Sequence, residues 1–135
     1  RYITEFNLYD KTFVFDLNTS AAKLIRQVDP KIKTALIVSE YKFESTIYLW
    51  DKVKSFDFDI VWAAEYRKLY SQEFIKAVKE TGRPFYAMSP DVHKAPHILH
   101  PRAYKDYELT WNDLIEWKVD GICTDLPYNL DRKLK

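Results

Sequence analysis

The sequence has very little cysteine, very little glycine and no long apolar run. Cys123 is the one cysteine in 135 residues, which excludes an intramolecular disulfide and a cysteine-based zinc cluster. The two glycines, Gly82 and Gly121, lie far apart, so the glycine-rich loops that hold nucleotide phosphates are absent. No apolar run approaches the roughly 18 residues of a membrane-spanning helix, and no transmembrane segment is expected.

The chain also lacks an excess of charge of either sign. Its formal net charge is +1 at pH 7, with 21 Lys and Arg interspersed among 20 Asp and Glu. A surface that binds nucleic acid or an anionic membrane needs a concentration of positive charge. We therefore expect no nucleic-acid partner. A chain of 135 residues suits a single domain, residues 1–135, that is long enough to bury a core.

Short apolar runs alternate with segments of helical periodicity along the chain. Five runs predict buried strands, at residues 13–15, 34–38, 60–62, 85–88 and 121–123. Periodicity and capping residues predict helices at residues 21–28 and 44–55, between Ser71 and Gly82, and from Thr110 onwards. Strands that are apolar on both faces and alternate with helices are typical of a parallel sheet in an α/β fold.

Polar side chains follow each of the five predicted strands. They are Asp16, Ser39 with Glu40, Glu65, Ser89 with Asp91, and Thr124 with Asp125. In parallel α/β folds, the carboxyl ends of the strands form the edge at which ligands bind. Residues of these types are also ordinary helix caps and loop residues. Glutamate is a poor cap, however, and the repetition at all five strands favours a functional site at this edge.

Residues 117–127, WKVDGICTDLP, resemble the last strand of the glycerophosphodiester phosphodiesterase family, where a helix leads into Val-Asp-Gly-Ile-x-Thr-Asp-x-Pro. Residues 13–40 resemble an earlier strand–helix–strand stretch of that family. Residues 83–94, RPFYAMSPDVHK, lie where the family has a strand that ends in an aromatic residue followed by Thr-Val-Asn. Tyr86 matches the aromatic residue, whereas Ser89-Pro90-Asp91 departs from the polar tip and resembles a divergent branch with a Ser-Pro-acidic-x-His pattern.

The resemblance implies a parallel (β/α) barrel of the phospholipase C-like phosphodiesterase type. A complete (β/α)8 barrel needs about 250 residues, whereas five strand–helix units occupy all 135 residues here. By resemblance, these units are the fourth to the eighth, so the chain is the C-terminal part of the barrel. The missing N-terminal half is then the expected partner, and self-association through open sheet edges is the alternative.

The resemblance also implies a function for the complete barrel, which would hydrolyse a glycerophosphodiester or a lysophospholipid with Mg²⁺ or Ca²⁺ at its mouth. The family's catalytic His-Arg and Glu-x-Asp motifs do not occur in this sequence. We therefore expect no catalytic residue in this chain, no cofactor for the chain alone, and no hydrolysis by it in isolation. Its expected contribution is the wall on the substrate side, through Glu40, Glu65, Tyr86, Asp91 and His93.

Other interpretations of the same residues stay open. The spacing of His93, His97 and His100 suits metal binding on a helix, but Pro96 and Pro101 disfavour a regular helix there. The whole chain is alternatively a non-catalytic barrel wall or small-ligand-binding module, or an independent open-sheet α/β domain with an accidental similarity. The presence of His-Arg and Glu-x-Asp upstream of this segment would favour the enzyme over the binding module.

Overall fold

The computed structural model describes residues 2–15, 19–39, 51, 53–54, 57–64, 70–92, 102 and 105–135. In these residues, five strands form one sheet: β1 (Phe13–Val14), β2 (Lys33–Ser39), β3 (Ile60–Ala64), β4 (Phe85–Met88) and β5 (Gly121–Cys123). Every neighbouring pair is parallel, and the order in the sheet is the order along the chain. The sheet curls into a half-barrel, which confirms the predicted partial α/β barrel.

The described helices are α1 (Tyr2–Glu5), α2 (Thr19–Val28), α3 (Gln72–Lys79), α4 (Tyr107–Glu116) and α5 (Pro127–Leu134), with 3-10 turns at Tyr9–Lys11 and Pro90–Val92. The sequence predicted α2, α3 and α4, but not α1 or α5. Of the predicted helix over residues 44–55, only residues 51, 53 and 54 lie in the described part, and they are helical. Among the described residues, no helix has the length and apolar character needed to cross a membrane.

The two ends of α3 follow the capping rules that predicted them. The Ser71 hydroxyl oxygen accepts a hydrogen bond from the backbone N–H of Phe74 at 3.1 Å, which satisfies one of the free donors of the first turn. Beyond the last turn, Gly82 has a φ of +79°, in the left-handed region that glycine adopts without a Cβ clash. Local chemistry alone therefore sets the limits of this helix.

The predicted start of α4 at Thr110 is wrong, because the helix begins three residues earlier, at Tyr107. The Tyr107 and Trp111 rings, four positions apart on this helix, pack with their centroids 4.9 Å apart, a local contact that supports the additional turn. Thr110 is buried inside the helix, and its hydroxyl oxygen accepts a hydrogen bond from Arg102 Nη1 at 3.0 Å. It does not act as a cap.

Within the described residues, the helices cover one face of the sheet. The main core joins outward strand residues such as Val61 and Phe85 to helical residues such as Ala22, Ile75 and Leu114. The other, concave face carries a separate cluster that consists of strand residues alone: Phe13, Ala35, Ile37, Ile60, Trp62, Tyr86, Met88 and Cys123. One helical layer outside a curved sheet is the arrangement of a barrel wall, and it disfavours an independent open sheet covered on both faces.

Acidic residues fix the amino ends of two strand pairs. Asp59, which precedes β3, accepts hydrogen bonds through Oδ2 from the Thr34 backbone N–H at 2.7 Å and from Arg26 Nη2 at 3.1 Å. Asp120, which precedes β5, accepts a hydrogen bond from the Phe85 backbone N–H at 2.8 Å. Each carboxylate accepts a hydrogen bond from a backbone N–H in the first two residues of the neighbouring strand, so the amino-terminal edge serves register and stability.

Candidate functional site

A buried carboxylate lies at the carboxyl ends of β4 and β5. The side chain of Asp91 is fully buried. Its Oδ2 accepts hydrogen bonds from the Thr124 hydroxyl at 2.9 Å and from the Asp125 backbone N–H at 2.8 Å. Its Oδ1 accepts a hydrogen bond from the Ser89 hydroxyl. Two strands that are adjacent in the sheet are thus joined through one carboxyl group.

Each hydroxyl around Asp91 is itself held by another donor. The indole Nε1 of Trp111, on α4, donates to Ser89 Oγ at 2.7 Å, and the Leu126 backbone N–H donates to Thr124 Oγ1 at 2.9 Å. Both hydroxyls accept one hydrogen bond and donate their own to the carboxylate, so both hydroxyl hydrogens point towards Asp91. We call Ser89, Asp91, Trp111, Thr124 and the Asp125 backbone N–H the Asp91 cluster. Satisfied buried networks of this kind hold their members rigidly.

The complete burial of Asp91 limits what this side chain can do chemically. Its oxygens accept hydrogen bonds from within the protein and neither is exposed, so a substrate contact requires the surrounding residues to move apart. In the geometry described, Asp91 holds the segments that follow β4 and β5, and the exposed residue Asp125 is placed by its own backbone N–H. The contact of Asp91 with substrate stays a prediction.

Tyr86 lies on the concave face, in register with Trp62 on one side and Gly121 on the other. Its ring centroid is 5.5 Å from that of Phe13 and 6.2 Å from that of Trp62, and both pairs meet edge to face. Phe15 stacks on Trp62 with centroids 5.1 Å apart. We call Phe13, Phe15, Trp62 and Tyr86 the concave aromatic layer. Met88 and Cys123 are the last residues of β4 and β5 and pair with each other. Tyr86 lies on the same face, two residues before Met88.

The side chain of Trp62 is 8% exposed, and its buried Nε1 has no hydrogen-bond partner in the structure. A buried donor without an acceptor costs about 1–3 kcal/mol. The concave aromatic layer therefore includes a polar group that the described residues leave unsatisfied.

Cys123 ends β5 beside the Asp91 cluster. Burial raises the pKa of its thiol above the ordinary value, and the nearby negative charges of Asp125 and Asp91 raise it further. A thiol that stays protonated at neutral pH is a weak nucleophile. These surroundings favour a packed thiol over a nucleophile at Cys123.

Three of the predicted site residues, Glu40, Glu65 and His93, lie outside the described residues. The structure therefore gives the position of two of the five candidates, Tyr86 in the concave aromatic layer and Asp91 in the cluster that bears its name. Across the ranges that are described, no group of three or more His, Cys, Asp and Glu side chains is placed to hold a metal ion.

Two residues that support this edge were not identified from the sequence. The helix predicted from Thr110 onwards includes Trp111, but nothing in the sequence indicates that its indole reaches Ser89. The Tyr70 hydroxyl lies within hydrogen-bonding distance of the carbonyl oxygens of Ala63, at 3.1 Å, and Met88. It bridges the carboxyl ends of β3 and β4, and no sequence signal indicates this contact.

No family model matches the chain, and no curated protein matches it. Its fold is similar to a crystal structure from Galdieria sulphuraria, provisionally described as a glycerophosphodiester phosphodiesterase, with a TM-score of 0.71 and 16% identity. The similarity covers 98% of this chain and 47% of that chain, so this chain spans about half the length of the solved protein. At this identity the similarity concerns the fold, and it confirms the resemblance to a partial barrel of this type.

Proposed function

We propose that this chain is the C-terminal part of a glycerophosphodiester phosphodiesterase-like hydrolase and forms the substrate-side wall of its barrel. The observation that supports this most is the similarity of fold, which extends over 98% of this chain and 47% of the solved protein. Residues 117–127, WKVDGICTDLP, support the same conclusion from the sequence, because they place Thr124 and Asp125 directly after the last strand.

Hydrolysis of a phosphodiester requires a positive group to neutralise the phosphate oxygens and acid–base groups for the nucleophile and leaving group. The family's His-Arg and Glu-x-Asp motifs are absent from this sequence, and the described residues do not form a metal site by themselves. In this proposal the acid–base groups and most ligands of the divalent cation, Mg²⁺ or Ca²⁺, come from the rest of the barrel. That cation supplies charge neutralisation at the phosphate when it is bound.

In this proposal, the residues of this chain hold the mouth of the barrel in place and give its interior its shape. The Asp91 cluster holds the ends of β4 and β5 at the mouth of the barrel, and the concave aromatic layer fills the interior below it. Glu40, Glu65 and His93 are proposed to contact the substrate from the same edge, together with Tyr86.

The proposed partner of this chain is the N-terminal half of the barrel. In the described sheet, β1 pairs with β2 alone and β5 with β4 alone, so each end presents an unpaired backbone edge. Open edges of this kind promote association. Self-association of two chains is the alternative way to cover them.

Hydrolysis of glycerophosphocholine or bis(p-nitrophenyl) phosphate with Mg²⁺ or Ca²⁺ tests the proposed activity. Two preparations are compared: this chain alone, and the same chain continuous with the residues that precede Arg1 in its parent protein. We expect no turnover from the first, and turnover from the second that a chelator abolishes. Turnover by the 135-residue chain that is lost in a His93→Ala variant would contradict the proposal.

A second candidate function is a non-catalytic barrel wall that binds a small ligand. It is favoured by the complete burial of Asp91, which stands where the family has a polar strand tip and which here holds β4 to β5. The sequence of the preceding polypeptide decides between the two. His-Arg and Glu-x-Asp motifs there support the hydrolase, and their absence supports the binding module.

A further inference from the structure

The concave face of the sheet carries a hydrogen-bond donor that no described residue satisfies. Trp62 is 8% exposed, and its buried Nε1 has no hydrogen-bond partner. Among the buried side-chain polar atoms of the described residues, this indole nitrogen is the single exception to full pairing. Buried polar groups in folded proteins are almost always paired, so an unpaired one calls for an explanation, such as a group that binds there.

A second hydrogen-bonding group lies beside this donor. Tyr86 pairs with Trp62 in the register of β3 and β4, and the two ring centroids are 6.2 Å apart. The Tyr86 side chain is half-buried, and its hydroxyl makes no hydrogen bond with any described residue. We call Trp62 Nε1 and the Tyr86 hydroxyl the Trp62–Tyr86 pair. Because a carbonyl, ether or hydroxyl oxygen has two lone pairs, one such oxygen can accept hydrogen bonds from both.

The surroundings of the Trp62–Tyr86 pair favour an uncharged partner. The other described members of the concave cluster are apolar side chains and the Cys123 thiol, and none is a cation. The charged groups that act on Cys123, Asp125 and Asp91, are both negative. An anionic phosphate oxygen would lose its hydration here without gaining a positive neighbour, which is strongly unfavourable. An uncharged oxygen loses far less.

The Trp62–Tyr86 pair also lies close to the edge at which ligands enter. Trp62 and Tyr86 are each two residues before the end of their strand, about 7 Å along it from the carboxyl edge. Phe15, which follows β1, stacks on Trp62 with centroids 5.1 Å apart and is 49% exposed. The Phe15 ring can turn aside without opening the main core, because that core lies on the other face of the sheet.

We propose that the Trp62–Tyr86 pair binds an uncharged oxygen atom, of an ester, ether or alcohol, in a ligand whose hydrocarbon part packs on the concave aromatic layer. The indole N–H and the phenol hydroxyl both donate to that oxygen, and the ligand displaces Phe15 from its stack on Trp62. The inference rests on the proposed function only for the identity of the ligand. In a phosphodiesterase, it is the alcohol portion of the substrate, which lies below the mouth while the phosphate stays at the mouth.

NMR spectra of the indole N–H groups test the proposal in the full-length protein that contains these residues. Glyceryl monobutyrate is the uncharged probe, and inorganic phosphate at equal ionic strength is the anionic one. We expect the Trp62 indole proton, assigned with Trp62→Phe, to shift downfield with glyceryl monobutyrate and to stay in place with phosphate. The Trp111 indole is the internal control, because its Nε1 already donates to Ser89 Oγ at 2.7 Å, and its signal should not move.

Affinity for glyceryl monobutyrate gives a second measurement. Trp62→Phe and Tyr86→Phe each remove one donor and keep an aromatic ring, and each is expected to weaken binding about three- to tenfold. Trp117→Phe is the matched control, because Trp117 packs against the main core on the helical face and its replacement should leave the affinity unchanged. Circular dichroism verifies that each variant keeps the wild-type fold.

A Trp62 signal that glyceryl monobutyrate leaves in place would overturn the proposal, and so would an equal shift with phosphate. A Trp62 indole proton that is already shifted downfield and protected from exchange in the ligand-free protein would overturn it as well, because its acceptor would then belong to the protein.

Turnover of glycerophosphocholine by the same full-length protein is measured separately. A Trp62 response without turnover supports this binding site and contradicts the hydrolase function. Turnover without a Trp62 response supports the hydrolase and contradicts this binding site.

Discussion

Thr124 Oγ1 and Asp91 Oδ2 lie 2.9 Å apart, so the hydroxyl that follows β5 is hydrogen-bonded to the carboxylate that follows β4. The two residues are 33 positions apart in sequence, and the neighbouring Asp125 backbone N–H reaches the same oxygen at 2.8 Å. Thr124 and Asp125 directly follow the three-residue strand β5. The Thr124 hydroxyl donates its hydrogen bond within the protein, to Asp91. The aspartate that follows Thr124, Asp125, is exposed.

Replacement of the central carboxylate should destabilise the fold. We expect Asp91→Ala to lower the free energy of unfolding by about 3 kcal/mol, because one buried and two partly buried donors lose their acceptor. Thr124→Val removes one donor and should lower it by about 1 kcal/mol. Asp125→Ala, a change to an exposed carboxylate, is the control and should stay within about 0.5 kcal/mol. Urea unfolding measures all three, and equal losses for Asp91→Ala and Asp125→Ala would show that the Asp91 cluster does not stabilise this edge.

A methyl group at Gly121 should disturb Tyr86. A Cβ there would lie 3.2 Å from Tyr86 Cδ1, so the ring must shift, and we expect Gly121→Ala to lower the stability by about 1–2 kcal/mol. The loss should largely disappear in a Tyr86→Ala background. Gly82→Ala meets open space but keeps a φ of +79°, so its loss of about 1–2 kcal/mol should be the same in both backgrounds. A double-mutant cycle in which Gly121 and Tyr86 act independently would refute the contact.

The pKa of Asp29 should depend on Tyr9. The Tyr9 hydroxyl donates to Asp29 Oδ2 at 2.7 Å and the Lys31 backbone N–H to Oδ1 at 3.1 Å, and these bonds hold the pKa of Asp29 below 3.8. We expect Tyr9→Phe to raise that pKa in a carboxyl NMR titration, whereas Tyr128→Phe, on α5, should leave it unchanged.

The direction of this shift fixes its effect on acid stability. Because the pKa of Asp29 is lower in the folded state than in the unfolded state, its contribution is fully present above the unfolded value near 3.8 and is lost as the pH falls through the folded value. As the pH falls through the folded pKa of Asp29, the free energy of unfolding should therefore decrease less in an Asp29→Asn variant than in the wild type. An identical acid dependence of the two proteins would show that Asp29 does not take part.

Cys123 should react slowly with thiol reagents in the folded protein. Burial, followed by the charges of Asp125 and Asp91, raises the pKa of the thiol, so the thiolate fraction at neutral pH is small. Labelling at pH 7.5 should be slower than in denaturant and should accelerate as the pH rises. Asp125→Asn removes one negative charge and should accelerate it, while Asp131→Asn, at an exposed position on α5, should not. Fast labelling of the native wild type would contradict this.

The five strands could be predicted from sequence because each is an apolar run with polar residues behind it. The lengths of the strands were harder to predict. Ala63 and Ala64 extend β3 beyond the predicted residues 60–62, although alanine fits a helix equally well. The sequence did not predict α5 because Pro127, which lies in its first turn, is equally typical of the end of a strand.

The candidate site was predictable as a set of residues but not as a set of bonds. Ser89, Asp91 and Thr124 stand out as strand tips in the sequence. Their hydrogen bonds depend on the register that places Met88 opposite Cys123, and register is a property of the folded sheet. Trp111 enters the cluster from a helix, and its role depends on how that helix packs.

The strand order β1-β2-β3-β4-β5 has a consequence for how the chain is made. Paired residues such as Phe13 and Lys33, or Tyr86 and Gly121, are between 20 and 35 positions apart, so every pairing closes over a short stretch of polypeptide. Contacts that are close in sequence form fastest, and chains acquire structure from the amino end as the ribosome delivers them. Each strand of this sheet after β1 therefore leaves the ribosome later than the neighbour with which it pairs, and β5 is the last of the five to be synthesised.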